Sequence, residues 1–199
     1  MKKVLCLVLA LMMLLSVTGA VFASGEGSDW EDDYDGFDKY GFPVRGVYET
    51  DDEYREGVKA FKKCDYGMAI RHFRNSAQRG YAWGQYEYAN CMENGWGCKK
   101  NLEKAFEYYF YASEQGHSKA QAALGRCYLW GRATFRDYDE GVRLFTLSAE
   151  QDDDLGQLWL GYCYQNGYGV DRDAAEARYW YRLSAAQGNA SAKKRLQEF

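Results

Sequence analysis

Side chains at spacings that suit nucleophilic catalysis occur at two places in this chain of 199 residues. His72 and Ser76 lie one helical turn apart, close enough to touch, but no third residue is placed in the sequence to orient the imidazole. Ser191 and Lys194 form an isolated Ser-x-x-Lys, the nucleophile motif of penicillin-recognising enzymes, without its companion motifs. We therefore expect no enzymatic activity.

The cysteines likewise offer few candidate sites for metal binding or disulfide formation. Beyond the N-terminal segment the cysteines are Cys64, Cys91, Cys98, Cys127 and Cys163, and no Cys-x-x-Cys pair or nearby histidine completes a metal site. We expect neither a metal nor a cofactor. Cys91, Cys127 and Cys163 are 36 residues apart, and equivalent atoms of packed helices lie about 9–10 Å apart. A disulfide needs Cα atoms within about 7 Å, so these three are expected in the core. Cys91–Cys98 is the one bridge that we consider.

The spacing of those three cysteines belongs to a repeat that runs through the chain. A phrase close to Ser-Ala-x-Gln-Gly recurs every 36 residues, at 76–80, 112–116, 148–152 and 184–188. Bulky aromatic residues keep the same interval, at Phe73, Tyr109, Phe145 and Tyr181. A unit of this length cannot bury its apolar face alone, so the period is typical of stacked helix pairs. Arrays of this kind mostly bind other molecules, which favours binding over catalysis.

Each unit is predicted to contain two helices. The first helix is expected at 82–94, 119–130 and 155–166, and a glycine ends each one because glycine adopts the left-handed conformation without a side-chain penalty. The second helix should follow an N-cap whose side-chain oxygen accepts free backbone amides; these caps are Asp65, Asn101, Asp137 and Asp173. Asp152 stands where other units end in glycine, and Asp tolerates a left-handed conformation.

In the last complete unit the residues resemble a known family. Asn-Gly-Tyr-Gly-Val at 166–170, Ala-Arg-Tyr-Trp-Tyr-Arg at 177–182 and Ala-Ala-Gln-Gly-Asn-Ala at 185–190 are similar to the Sel-one-like repeat (SLR), a relative of the tetratricopeptide repeat. The resemblance covers residues 54–199. It implies an all-α fold, a right-handed α-solenoid of stacked antiparallel helix pairs that serves as a scaffold or adaptor for proteins or peptides. The units are expected at about 54–80, 81–116, 117–152 and 153–188, with a capping helix at 189–199.

The first 23 residues have the pattern of a secretory signal peptide. Lys2 and Lys3 form a basic start, residues 4–17 are almost wholly apolar, and the residues before Ser24 suit cleavage after Ala23. The apolar run is shorter than the roughly 20 residues that cross a bilayer, and an uncleaved anchor is the alternative. We therefore expect an exported protein, periplasmic or extracellular, with no membrane span after cleavage.

Residues 24–53 form an acidic leader with eleven acidic and two basic residues. Acidic blocks of this kind are usually disordered, but its six aromatic residues are unusual for a leader that only solubilises. Two interpretations stay open: a disordered leader, or a segment that docks on the repeats of its own chain or of a neighbour. A calcium site at 29–35 is a weaker option, because the sequence has no distal bidentate glutamate of a binding loop.

A partner site is predicted on the concave face, which the first helices line in such solenoids. Because Ala120, Leu124 and Tyr128 are assigned to the core, the stripe that contains Arg126 should point into the groove. The predicted partner-binding residues are Tyr86, Asn90, Glu93, Arg126, Leu129, Trp130, Leu158, Tyr162 and Gln165. Aromatic, amide and arginine side chains together suit peptide recognition. Ordinary solvated or inter-repeat packing is the competing interpretation.

The favoured function is an exported adaptor that binds an unidentified protein or peptide. From residue 54 onward the chain has 21 Lys plus Arg against 18 Asp plus Glu, too small an excess to indicate nucleic-acid binding. The alternative is a cell-wall-related hydrolase, or a protein that binds peptidoglycan or β-lactam-like ligands. That alternative depends on export and on the isolated Ser-x-x-Lys.

Overall fold

The structure is a computed structural model that describes residues 51–198, and this part of the chain forms nine α-helices and no β-strand. The predicted signal peptide and residues 24–50 of the leader lie outside the described residues. The helices are α1 (Asp52–Lys62), α2 (Tyr66–Gln78), α3 (Ala82–Asn94), α4 (Leu102–Glu114), α5 (Ser118–Trp130), α6 (Tyr138–Ala149), α7 (Asp154–Asn166), α8 (Ala174–Ala186) and α9 (Ala190–Leu196). None of these helices is long and apolar enough to cross a membrane.

Successive helices pack as pairs. Helix α1 packs on α2, α3 on α4, α5 on α6 and α7 on α8, and each pair contacts the next pair along the chain. The short helix α9 packs on α8. Helix α5 also contacts α7 directly, so these first helices of successive units lie side by side. The prediction of an all-α stack of helix pairs is confirmed.

The predicted helix ends are confirmed where they depend on local chemistry. In each N-cap of a second helix a side-chain oxygen accepts a first-turn amide at 2.7–3.1 Å; the caps are Asp65, Asn101, Asp137 and Asp173. Each such cap contributes about 1 kcal/mol. The glycines that end the first helices are left-handed, with φ of 78° at Gly95, 64° at Gly131 and 74° at Gly167. Asp152 also has a positive φ, 59°.

Three helix boundaries differ from prediction. Helices α5 and α7 each begin one residue earlier, at Ser118 and Asp154. The first unit begins two residues earlier than predicted, at Asp52, because Asp51 caps α1 and its carboxylate accepts the amide of Glu53. The last three acidic residues assigned to the leader therefore belong to the first helix pair.

Large aromatic side chains of the second helices fill the core, as the repeat predicts. Four of them are at most 1% exposed: Phe73, Tyr109, Phe145 and Tyr181. Three of the rings press against a glycine of a first helix, where an added Cβ would lie 2.6–2.9 Å from the ring; the pairs are Gly57–Phe73, Gly125–Phe145 and Gly161–Tyr181. Burying a side chain of this size stabilises the fold by about 1.5–3 kcal/mol.

Glutamine pairs connect the two helices within three of the units. In each pair an Nε2 amide donates to an Oε1 at 2.7–2.9 Å, and the pairs are Gln115–Gln85, Gln151–Gln121 and Gln187–Gln157. The acceptor glutamines are buried. An unpaired buried amide costs about 1–3 kcal/mol, so each of these hydrogen bonds satisfies a buried acceptor and connects the end of a second helix to its first helix.

Candidate partner-binding face

The first helices α3, α5 and α7 present a row of accessible side chains. The accessible positions in α3 and α7 recur every three or four residues and are 72 residues apart, and α5 repeats them at the intermediate positions except at the buried Ala123. The row consists of Trp83, Glu87, Asn90, Asn94, Lys119, Arg126, Trp130, Leu155, Trp159, Tyr162 and Asn166. We call this row the first-helix face.

A cleft of about 160 Å³ lies within the first-helix face. Side chains of three successive first helices line it: Tyr86, Asn90, Lys119, Ala122, Ala123, Arg126, Leu155 and Trp159. The lining mixes aliphatic and aromatic side chains with amide, lysine and arginine groups, and pockets for whole small molecules measure about 300–1,000 Å³. The cleft therefore suits one side chain of a larger partner better than a complete small ligand.

Arg126 is held on the face by a network around Glu93. Its Nη2 donates to Glu93 Oε2 at 2.9 Å, and Arg132 Nη1 lies 3.4 Å from Glu93 Oε1. The Tyr109 hydroxyl lies 2.8 Å from Glu93 Oε2 and 2.9 Å from Asn90 Oδ1, either of which can accept its proton. Burial, followed by the nearby carboxylate, raises the pKa of Tyr109 well above its usual range, so its hydroxyl stays a donor. The carboxylate of Glu93 thus forms ion pairs with both arginines.

An aromatic cluster lies next to the cleft. The ring centroids of Trp130, Trp159 and Tyr162 are 5.7–6.4 Å apart. Trp159 stacks on the buried Phe145, with centroids 6.2 Å apart and ring planes inclined by 21°. Trp130 is 38% exposed. Tryptophan, tyrosine and arginine are the residue types that most often dominate binding energy, so this cluster and Arg126 are the best-suited anchors on the face.

The structure brings several predicted partner-site residues together on this face. Four of them are accessible there: Asn90, Arg126, Trp130 and Tyr162. Tyr86 is 9% exposed and lines the cleft. Glu93 and Gln165 lie behind the row, where they accept hydrogen bonds from the hydroxyls of Tyr109 and Tyr181. These two acceptors position the face and offer little surface to a partner.

Leu129 and Leu158 are the two residues whose exposure was predicted wrongly. Leu129 is fully buried and Leu158 is 7% exposed, and both belong to core clusters. Helices α5 and α7 each contact the second helix of their own unit, the preceding second helix and each other. Their buried stripe is therefore wider than that of a helix packed on one side, and the two leucines fall within it.

Five residues that line the cleft are absent from the predicted partner-binding residues: Lys119, Ala122, Ala123, Leu155 and Trp159. The signal for four of them is in the sequence. Steps of seven and three residues back from Arg126 lead to positions 119 and 123, and the 36-residue period carries these positions to 155 and 159. The prediction instead included Leu129, which lies three residues after Arg126 and is fully buried.

The pattern of the Sel1 repeat matches four stretches of the chain, residues 52–81, 84–117, 118–153 and 155–189. The chain belongs to the Sel1 repeat family. Each matched stretch covers one helix pair of the structure, apart from the first two residues of α3 and the first residue of α7. The family resemblance seen in the sequence is confirmed.

Two solved structures are similar to this Sel1 repeat chain. One is the crystal structure of a Sel1 repeat protein from Oxalobacter formigenes, with a TM-score of 0.67 and 30% identity over 72% of this chain and 59% of that chain. The other is the crystal structure of a protective antigen present in uropathogenic Escherichia coli strains that displays an SLR fold. Its TM-score is 0.63, with 30% identity over 76% of this chain and 33% of that chain. This chain spans less than two thirds of either protein.

Among curated proteins the similarity is shorter. A segment of 49 residues is 39% identical to DAP3-binding cell death enhancer 1 of Rattus norvegicus and of Mus musculus. The segment makes up 25% of this chain and 10% of each of those proteins. A match of this extent fits a shared repeat.

The cysteines of the Sel1 repeats are free thiols. Cys98 Sγ lies 3.5 Å from the carbonyl oxygen of Cys91, and the bridge considered between these two residues is not formed in the structure. Cys91, Cys127 and Cys163 are at most 7% exposed, as predicted, and burial raises the pKa of Cys91 and of Cys163 to about 12. Thiols buried in this way are unreactive. Within residues 51–198 no group of His, Cys, Asp and Glu is arranged to hold a metal ion.

His72 and Ser76 are engaged by different carboxylates. His72 Nδ1 lies 2.8 Å from Glu53 Oε2, and the fully buried Ser76 donates its hydroxyl proton to Asp51. The expectation that no residue orients the imidazole is wrong, because Glu53 contacts it. Ser76, however, donates its hydrogen bond to Asp51 and not to His72. These four residues connect the start of α1 to α2.

His117 is a buried helix cap behind the face. It precedes α5, is 7% exposed, and its Nδ1 accepts the amide of Ala120 at 3.1 Å. Its ring contacts Trp83 at 4.3 Å and Tyr86 at 4.9 Å between centroids. Burial, reinforced by the Lys119 charge, lowers the pKa of His117 to about 3. The imidazole therefore stays neutral wherever the protein is folded near neutral pH.

Replacing His117 by asparagine is expected to remove an acid-sensitive part of the stability. The unfolded chain protonates His117 below its ordinary pKa of 6.5, whereas the folded chain does so only near 3. The contribution of His117 to wild-type stability should therefore fall by about 1.4 kcal/mol in total between pH 7.5 and 5.5. Asparagine keeps the cap, as Asn189 does for α9. Urea unfolding between pH 7.5 and 5.5 measures both slopes, and equal slopes in the two proteins would contradict the prediction.

Proposed function

We propose that this protein is an exported, non-catalytic scaffold that binds a protein or peptide through the first-helix face. The observation that carries the proposal is the accessible row across three units, with a cleft that suits one side chain at its centre. Export is inferred from the signal-peptide pattern of residues 1–23, which lie outside the described residues.

The spacing of the face favours an extended segment as the bound element. Packed helices lie about 8–10 Å apart, and an extended chain advances about 3.3 Å per residue. Helices α5 and α7 contact each other, so a peptide that crosses from one to the other meets the second helix after about three residues. One apolar side chain can enter the cleft, while Arg126 and Lys119 offer charged donors to carboxylates or carbonyl groups.

Truncation of the two accessible anchors is expected to weaken binding strongly. Peptides selected by display on the full mature chain provide the ligand, and their affinities are measured by calorimetry. Trp130→Ala and Arg126→Ala should each weaken binding by about tenfold to thirtyfold, the effect of losing about 1.4–2 kcal/mol at a central contact. Both side chains lie at the surface of the face, so folding should be preserved, and thermal unfolding checks it.

Matched substitutions on second helices provide the control. Tyr179 in α8 is 52% exposed, and Arg143 in α6 pairs only with Glu140 of its own helix among the ion pairs of the described residues. Tyr179→Ala and Arg143→Ala should leave the affinity unchanged. Binding that is lost in these controls as much as in the face variants would overturn the proposed site, and failure to select any peptide would overturn the proposed function.

A further inference from the structure

The described chain begins beside the first-helix face. Asp51 accepts the hydroxyl of Ser76, and its Oδ1 lies 3.6 Å from Arg79 Nη1. Tyr54, in the first turn of α1, contacts the indole of Trp83 with centroids 6.1 Å apart. Trp83 is the first residue of the first-helix face and lies at the N-terminal end of α3. The residues that precede Asp51 therefore join the repeats at the edge of the face.

The segment that precedes this point has an unusual composition. Residues 24–50 contain eight acidic and two basic side chains. Interspersed with the acidic residues are six aromatic ones: Trp30, Tyr34, Phe37, Tyr40, Phe42 and Tyr48. A segment that only solubilises has no use for six aromatic rings, whereas a segment that binds a surface does.

The first-helix face has the complementary chemistry. Lys119 and Arg126 line the cleft, and Arg132 lies beside them through its contact with Glu93. Because Glu93 is shared by both arginines, the network keeps a net positive charge and can accept further carboxylates. The exposed ring of Trp130 and the neighbouring Trp159 offer stacking surfaces next to these cations.

The length of the segment is sufficient. Twenty-seven extended residues span about 90 Å, whereas crossing three adjacent helices at 8–10 Å spacing requires about 20–30 Å. About ten residues can lie across the face, and the remainder serves as a linker. A tether of this length gives an effective concentration in the millimolar range, so even a weak contact would be occupied.

We propose that residues 24–50 occupy the first-helix face of their own chain, with carboxylates at Lys119, Arg126 and Arg132 and aromatic rings against Trp130 and Trp159. The inference rests on the proposed function and deepens it, because it defines the partner as an acidic peptide with interspersed aromatic residues. Such a partner must displace the tethered segment before it binds.

The test uses the full mature chain and a fluorescein-labelled synthetic peptide of residues 26–50. In one variant the acidic cluster is neutralised by Asp29→Asn, Glu31→Gln, Asp32→Asn, Asp33→Asn and Asp35→Asn. Anisotropy should show that this variant binds the free peptide at least tenfold more tightly than wild type, since its own segment competes less. Adding Arg126→Glu should abolish the gain, and 0.5 M salt should reduce it.

Several outcomes would overturn this inference. Equal binding by wild type and the neutralised variant would mean that the tethered segment does not occupy the face. If a scrambled peptide bound as tightly as the peptide of residues 26–50, the contact would depend on charge and not on the order of acidic and aromatic residues. A mass that doubles with concentration in sedimentation, and only in wild type, would place the segment on a second copy. If the peptide binds to neither chain while display-selected peptides still depend on Trp130, the inference fails and the proposed function stands.

Discussion

Replacing Phe145 by alanine is expected to lower the free energy of unfolding by about 3–5 kcal/mol. The ring is fully buried in α6, meets Gly125 of α5 and stacks on Trp159 of α7. Its loss leaves a cavity that neither glycine nor a rigid indole can fill. Since Trp159 lines the cleft, binding of display-selected peptides should weaken as well. Urea unfolding and calorimetry measure the two effects.

Phe135 provides the matched control for this prediction. It is the same residue type in the loop before α6, and it is 90% exposed. Phe135→Ala should change the free energy of unfolding by less than about 0.5 kcal/mol, as surface substitutions usually do. If the two alanine variants lost similar stability, the assignment of Phe145 to the junction of three helices would be wrong.

Replacing Gly97 by alanine is expected to be the second large effect. Gly97 has a φ of 69°, and a Cβ at this position would lie 2.1 Å from the backbone carbonyl oxygen of Tyr66. The left-handed conformation costs a non-glycine residue about 1–2 kcal/mol, and overpacking against backbone adds about 1–3 kcal/mol. Thermal and urea unfolding should therefore show a loss of about 2–5 kcal/mol.

Gly116 separates the two causes of this loss. Its φ is 79°, but nothing lies within 4 Å of an added Cβ. Gly116→Ala should therefore cost only the backbone strain, about 1–2 kcal/mol. A Gly97→Ala loss no larger than that of Gly116→Ala would show that the loop can move away from Tyr66. In the next unit Ala133 already takes the left-handed conformation, with φ of 59°, so the steric limit at Gly97 arises from its neighbour.

Local signals made the helix ends predictable from the sequence. An N-cap such as Asp137 acts on an amide three residues away, and the left-handed end at Gly131 depends on the absence of its own Cβ. Such interactions are complete within one turn of chain. Because these interactions recur every 36 residues, the helix ends predicted in one unit also predict the helix ends of the neighbouring units.

The glutamine pairs were not predictable in the same way. Gln85 and Gln115 are 30 residues apart in the chain, and glutamine is common on exposed helix surfaces. Only the packing of α3 against α4 shows that the two amides meet. The boundary of the leader failed for a related reason. Asp51 and Glu53 share the composition of the leader, but their partners, Ser76 and His72, lie across the helix pair.

The exposure of the residues on the first-helix face was predicted in part. Arg126, Trp130 and Tyr162 were placed correctly at the surface, because helical periodicity alone separates them from Leu124 and Cys127. Leu129 was misplaced because the width of a buried stripe depends on how many helices surround it. That number follows from the stacking of α5 with α7 and is not encoded in the periodicity of one helix.

Site-specific photo-crosslinking shows which surface of the repeats a bound peptide contacts. A benzophenone-bearing phenylalanine replaces either Trp130 on the first-helix face or Tyr179 on α8, two aromatic positions that are 38% and 52% exposed. Each protein is irradiated with the same display-selected peptide. We expect a crosslinked product from position 130 and little or none from position 179. Equal crosslinking at both positions, or crosslinking only at 179, would contradict binding through the first-helix face.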